Sequence, residues 1–397
     1  MLRNSLIWLL ALIIALVSGL TALGAISKSK APEIAVGLQP FNGFAAEKIA
    51  SRRIKASLAA DRGEFPKELD ELTKHWAKLA FLHEPITPEA VAILAMAQTG
   101  ETRRALMLKA LQLSRRENVV ALWLIQDSAN RKDLSAVLRY YDTMLRTTPA
   151  NNALIISILV EALSNDSALG PFTEMLSTSP PWAATFWEKA AATPKAIVNA
   201  ALLRKNLHRP EETVESYRDG ALISALVAEM KFETATNLYN MITAPRTGNE
   251  IISNGFFKQR PQYPPLDWHL ISTGSHGAFI ANNTLQLSTL GKTGGLFARQ
   301  LVKLPEAVFE IRMEMKTPIP TSAELFVSIA CAEKIPNIPT VIRIPLSALV
   351  TKQKISTMAT SCRYYWLDIA GRSIGNNVGM DVALESISMK ELAVHGR

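Results

Sequence analysis

Phe309-Glu310-Ile311-Arg312-Met313-Glu314-Met315-Lys316 alternates apolar and charged residues without a break. A period of two sends the apolar side chains to one face of a strand and the charges to the other, as in a sheet packed on one side and wet on the other. Just downstream, Leu325, Val327, Ile329 and Cys331 alternate with Phe326, Ser328, Ala330 and Ala332. Short runs of this kind, punctuated by Gly, Pro and Asn, continue to the C-terminus. They predict an antiparallel β-sandwich over residues 250–397.

Moving toward the N-terminus, the rhythm changes. Residues 244–253, with Pro245 and Gly248, read as a boundary. Before it, apolar residues recur at helical spacing over 44–244. Asn42 is positioned to cap a helix carrying Ile49, Ile54 and Leu58. Pro66 suits the first turn of another, with Leu69, Leu72, Trp76 and Leu79 on one side. Thr87-Pro88-Glu89 opens a helix expected to stop at Gly100, and further helices are expected over 117–130 and 133–147. Pro149, Pro180, Pro210 and Pro245 recur at intervals of roughly 30–35 residues, the period of a stacked two-helix unit. The alternative is a plain helical bundle.

At the start of the chain, Leu6 to Ile26 is uncharged and apolar, and about 20 such residues suffice for a helix to cross a bilayer. Residues 1–27 are therefore expected to form a transmembrane anchor, followed by a linker over 28–43. A cleaved signal peptide is the rival, with Ala22-Leu23-Gly24 as a passable cleavage site. Either outcome places the bulk of the chain across the membrane. The expected location is a single-pass, membrane-anchored protein with its folded parts outside the cytoplasm, in a periplasm.

Lys and Arg number 43 against 35 Asp and Glu, a formal charge of +8. That balance favours anionic partners but does not choose among them. Cys331 and Cys362 are too few for a disulfide scaffold or a four-Cys zinc site. They can form one bridge or remain two buried thiols.

Two resemblances add to this reading. Gly100-Glu101-Thr102-Arg103-Arg104-Ala105 resembles the turn and alanine of tetratricopeptide repeats, and Pro149 resembles their closing proline. That resemblance implies an α-solenoid binding a protein partner along a concave face. Ile251-Ile252-Ser253-Asn254-Gly255-Phe256-Phe257 resembles the opening strand of jelly-roll carbohydrate-binding modules. Trp268, Ala298-Arg299-Gln300-Leu301-Val302 and the closing Glu385-Ser386-Ile387-Ser388-Met389 follow in that family's order. The resemblance implies polysaccharide contact through aromatic side chains, for which Tyr263, Trp268, Tyr364 and Trp366 are the candidates, with Tyr365 on the opposite strand face. Phe256 and Lys258 stand where the family often has acids that help hold calcium, so no metal is expected.

Catalytic signatures fail on context. Gly371-Arg372-Ser373-Ile374-Gly375 matches G-x-S-x-G and is followed by Asp381 and His395, but no helix follows the serine as a nucleophile elbow requires. Gly291-Lys292-Thr293 lacks the upstream glycine of a phosphate loop, and the histidines form no metal pair. No nucleic-acid-reading motif occurs. The sequence thus leads to no catalytic residues, no cofactor and no nucleic acid. It is expected to be a non-catalytic anchored envelope protein, resembling bacterial accessory factors of exopolysaccharide biosynthesis or export. The alternative is an envelope polysaccharide hydrolase or lyase with an unrecognised site.

Overall fold

The computed structural model describes residues 2–60, 65–66, 68–148, 152–208, 216–243, 251–333, 342–347, 349–357, 362–375 and 378–392. Helices fill the N-terminal part: α1 (Leu2–Lys30), α2 (Pro32–Leu38), α3 (Gly43–Ala60), α4 (Glu71–His83), α5 (Pro88–Met96), α6 (Gly100–Leu113), α7 (Asn118–Asn130) and α8 (Leu134–Thr147). They continue with α9 (Asn152–Leu163), α10 (Leu169–Leu176), α11 (Ala183–Ala191), α12 (Ile197–Asn206), α13 (Ser216–Ala228) and α14 (Phe232–Ile242). Chain contacts group into two compact units, 1–158 with 170–183, and 159–169 with 184–397. Of the expected boundary, 244–253, residues 244–250 lie outside the described residues. The last helices belong to the same compact unit as the strands, although their periodicity matches the earlier helices.

Within the first unit, α3 packs on α4, α5 on α6, and α7 on α8. The seams are lined by alanines such as Ala77, Ala80, Ala90, Ala95 and Ala110, all fully buried, whose small side chains let helix axes approach closely. Three expectations change in detail. The linker over 28–43 contains α2, because Pro32 sits at its first turn, where the missing amide costs nothing. The helix expected to begin at Pro66 begins at Glu71, capped by Asp70, whose carboxylate accepts the Thr73 amide at 2.9 Å. Gly100 opens α6 instead of ending α5, and its φ of +58° is one that a side chain would resist.

The C-terminal part forms two antiparallel sheets. Its strands are β1 (His269–Leu270), β2 (His276–Ala281), β3 (Thr284–Thr289), β4 (Gly294–Lys303), β5 (Val308–Met315), β6 (Ala323–Cys331), β7 (Ile342–Pro345), β8 (Val350–Ser356), β9 (Tyr364–Ser373) and β10 (Met380–Glu391). One sheet runs β1-β4-β9-β6-β7 and the other β2-β3-β10-β5-β8. The alternation at 309–316 has its consequence in β5. Phe309, Ile311, Met313 and Met315 are buried in a cluster with Leu367, Ile369, Val327 and Ile329 of the first sheet. Burying that shared cluster is the main favourable term holding the sheets together.

The segment 251–257, expected as an opening strand, is a run of turns. Asn254 has φ +51°, and its side chain accepts the Lys258 amide at 2.9 Å while donating to the Gln259 carbonyl at 2.7 Å. These local bonds compete with any ladder. Gly255 lies so close to Ile387 that a Cβ would meet its carbonyl oxygen at 2.1 Å. Gln300, buried in β4, fastens the segment by accepting the Ser253 amide at 2.8 Å and donating to the Ser253 carbonyl at 3.0 Å. Cys331 and Cys362 are joined, sulfur to sulfur, at 2.03 Å.

Candidate functional site

The candidate aromatics separate into different environments. Trp268 is fully buried, 5.8 Å from the Phe257 ring, with its indole N–H donating to the Asn254 carbonyl at 3.3 Å. It offers no face to a ligand, and core packing is its role. Tyr364 is buried as well. Its hydroxyl donates to Glu233 of α14 at 2.6 Å, and the Phe232 ring lies 5.3 Å away. Burial, with the neighbouring Glu233 carboxylate, pushes the Tyr364 hydroxyl far above its ordinary acidity range. Tyr263 is half-buried and packs edge-on to Tyr239 of α14 at 5.9 Å. Tyr365 turns inward and donates to the Cys362 carbonyl at 3.1 Å.

Trp366 alone among these faces outward from the β1-β4-β9-β6-β7 sheet with part of its ring exposed. Register shows what surrounds it. His269 pairs with Arg299, Arg299 with Asp368, Asp368 with Ser328, and Ser328 with Arg343. Directly paired residues in antiparallel strands share a face, so these five form one polar row crossing every strand of the sheet. On one side of the row stands Trp366, paired with Leu301 and Ala330; on the other stands Phe326, paired with Ala370 and Pro345. Four residues of strand rise separate the two levels, roughly 13 Å.

Each ring is held by a guanidinium. Arg299 lies 4.8 Å from the Trp366 ring centre and forks onto Asp368 at 2.7 and 2.8 Å; Arg343 lies 3.4 Å from the Phe326 ring centre. Bidentate pairing and cation–π stacking fix the orientation of planar groups. Beside Trp366 a cavity of about 500 Å³ opens, lined by Met230, Phe232, Pro265, His269 and Ala332. The alternation had placed Phe326 and Ser328 on one strand face, but sequence reasoning did not single out Arg299, Asp368, Phe326 or Arg343. Only cross-strand register brings them together.

Other clusters fit ligand chemistry less well. Thr273, Ser275 and His276 border a second cavity of about 580 Å³, where they hydrogen-bond one another at 3.1–3.4 Å. Ser373, the G-x-S-x-G serine, ends β9 with its hydroxyl buried and donating to the Val378 carbonyl. Gly371 lies in that same strand, where a Cβ would meet the Glu324 carbonyl oxygen at 2.5 Å. Strand crowding thus accounts for the glycine without an elbow. His395 lies outside the described residues. Adjacent bases hold Glu314 and Glu324 below the usual carboxylate range, which suits ion pairing and not proton donation.

Among the described residues two carboxyls, Glu47 and Glu117, are pushed upward, chiefly by burial, and both are in the first unit. Glu117 is raised to about 7 by burial and by its hydrogen bond to Glu89. Burial works to raise Glu89 too, but bonds from Glu117, Lys55 and Ser51 outweigh it and hold Glu89 low. Lys55 meets Glu89 at 2.7 Å, Lys48 lies 3.8 Å from it, and Glu47 accepts the Glu89 amide at 2.8 Å. The folded chain holds the Glu117 proton up to about pH 7, whereas an unfolded glutamate gives it up near 4.5. The Glu117 contribution to stability therefore falls as pH rises from about 4.5 to 7, then levels off. Glu117→Gln should remove that fall, leaving the variant more stable than the parent by about 1–2 kcal/mol at pH 7.5 once solvent screening is allowed for. Urea unfolding of both proteins at pH 5 and pH 7.5 checks this. An unchanged difference between the two pH values would refute the shared proton.

No family model matches this chain, and no curated protein matches it. Among solved structures, its C-terminal β part has carbohydrate-binding modules as neighbours. A structure of TmCBM61 in complex with beta-1,4-galactotriose is 9% identical, with a TM-score of 0.27 over 36% of this chain and all of that one. One described as CBM4 structure and function is 9% identical, with a TM-score of 0.26 over 36% of this chain and 99% of that one. Family 16 Carbohydrate Binding Module-2 is 16% identical, with a TM-score of 0.23 over 36% of this chain and 99% of that one.

Proposed function

We propose that this chain is a non-catalytic, membrane-anchored envelope protein that holds polysaccharide on the outer face of the β1-β4-β9-β6-β7 sheet. The observation carrying this reading is the five-residue polar row flanked by Trp366 and Phe326. Sugars present apolar C–H faces and a dense ring of hydroxyls. A binding surface for them needs flat aromatic faces beside donors and acceptors fixed in place. Here the guanidinium of Arg299 and the carboxylate of Asp368 supply both kinds of polar group, and Trp366 and Phe326 are each only partly buried. The roughly 13 Å between ring levels suits a short stretch of chain polymer.

On this reading the C-terminal part is a jelly roll, and the helices are tetratricopeptide-like repeats that dock a protein partner. The location is periplasmic and the role accessory to exopolysaccharide biosynthesis or export. Support comes from the apolar α1, the paired helices and the composition of the sheet face. Trp366→Ala should weaken polysaccharide binding by roughly 30-fold, about 2 kcal/mol, as for a central aromatic anchor. Affinity electrophoresis of the full chain through gels of neutral and acidic polysaccharides would measure it. Equal retardation of parent and variant would remove Trp366 from the site, and no retardation in any gel would end the polysaccharide reading.

A further inference from the structure

The chain from 31 to 44 doubles back beside α1 instead of leaving it. At Gly24 the Gln39 side chain presses so close that a Cβ would meet its Oε1 at 2.3 Å. Lys28 lies 5.1 Å from the Phe44 ring centre, and Arg52 of α3 donates to the Lys30 carbonyl at 2.9 Å. A cavity of about 500 Å³ is lined jointly by Val17 and Leu20 of α1 and by Leu38, Pro40, Phe41 and Glu84. Phe41 also meets His83, at the end of α4, with ring centres 5.2 Å apart.

This folded collar carries large apolar side chains that the protein leaves bare. Ile34 is 60% exposed, Phe41 75%, Leu82 75% and Ile86 64%. Single exposed apolar residues are ordinary, but several on the segments that border an uncovered apolar helix mark an interaction surface. The helix it adjoins has an apolar span, Ile7–Lys30, whose most apolar 18 residues have a mean hydropathy of 2.5 with only 6% of them buried by protein. Val17 lies nine residues before Ile26, or about 13 Å along the helix axis. Whatever surrounds α1 at the level of Val17 and Leu20 therefore also surrounds Phe41.

We infer that Phe41 on the α2–α3 turn, Leu82 in the last turn of α4 and Ile86 on the α4–α5 turn insert into the same lipid leaflet as the C-terminal half of α1. The inference rests on reading α1 as a membrane anchor. It makes the first helical unit a partly embedded body, not one held off the bilayer by a flexible tether. Lys28 and Lys30, with Arg52 beside them, lie where long basic side chains can reach up to anionic head groups.

The test uses the full chain, whose own cysteines are bridged, in vesicles of phosphatidylcholine and phosphatidylglycerol. An environment-sensitive fluorophore is attached in separate variants at Ile13→Cys, Phe41→Cys, Leu82→Cys and Ile86→Cys, and brominated acyl chains serve as quencher. The labelled sites on the collar are largely exposed, so circular dichroism should show folding unchanged. Quenching at 41, 82 and 86 to at least half of that at 13 is the expected result. Strong quenching at 13 with none on the collar overturns the inference and leaves the anchor standing. An unquenched label at 13 overturns both.

Discussion

Asp219→Ala should cost the second compact unit about 3–5 kcal/mol. Asp219 on α13 accepts both forks of Arg204 from α12, at 2.9 and 3.2 Å, and both side chains are buried. Truncating the acid leaves a guanidinium that can neither lose its proton nor reach water, so most of the loss is the solvation it gave up on folding. The double variant Arg204→Met with Asp219→Leu removes both charges and should recover most of the stability. Thermal and urea unfolding of the parent and the two variants measure this. A single variant within 1 kcal/mol of the parent would mean that water reaches Arg204.

Trp268→Ala should be comparably damaging, by about 3–5 kcal/mol, because it removes the largest fully buried side chain among the described residues. The cavity would open beneath Phe257 and the Asn254 turn, and the Asn254 carbonyl would lose the indole donor and keep only the Phe257 amide. At a temperature where the variant is still folded, polysaccharide affinity should be unaltered. This behaviour is opposite to that of Trp366→Ala, which should lose affinity and keep its melting temperature. If Trp268→Ala lost affinity while melting normally, the burial of that ring would be wrong for the protein in solution.

The contrast between these two tryptophans shows how far the sequence could be read. Periodicity located the change from helices to strands, because a strand's two faces must differ whenever one is packed and the other wet. Phe309 to Met315 display that rule without interference. It placed Tyr364 and Trp366 on one strand face, and both do share it. What periodicity could not convey is that α14 covers one end of that face, burying Tyr364 and leaving Trp366 partly open. Trp268 belongs to a two-residue edge strand and its approach, too short for alternation to assign a side. The polar row is further removed still. Its members lie between residues 269 and 368, and only the pairing of five strands aligns them. At the opening segment, local bonds from Asn254 overruled the strand that its apolar residues suggested.

The Glu233 contacts bear on how the protein can be dissected. Its carboxylate takes the Tyr364 hydroxyl at 2.6 Å and the Lys303 ammonium at 3.0 Å, and both donors stand on inner strands, β9 and β4. Severing the chain where the hydrophobic rhythm changes, near residue 250, would strip away α14 and uncover Tyr364. A recombinant fragment beginning there would present a raw aromatic surface and invite self-association. Expression of the β part as a soluble reagent calls for a start before α12, so that the helices travel with the strands they shield.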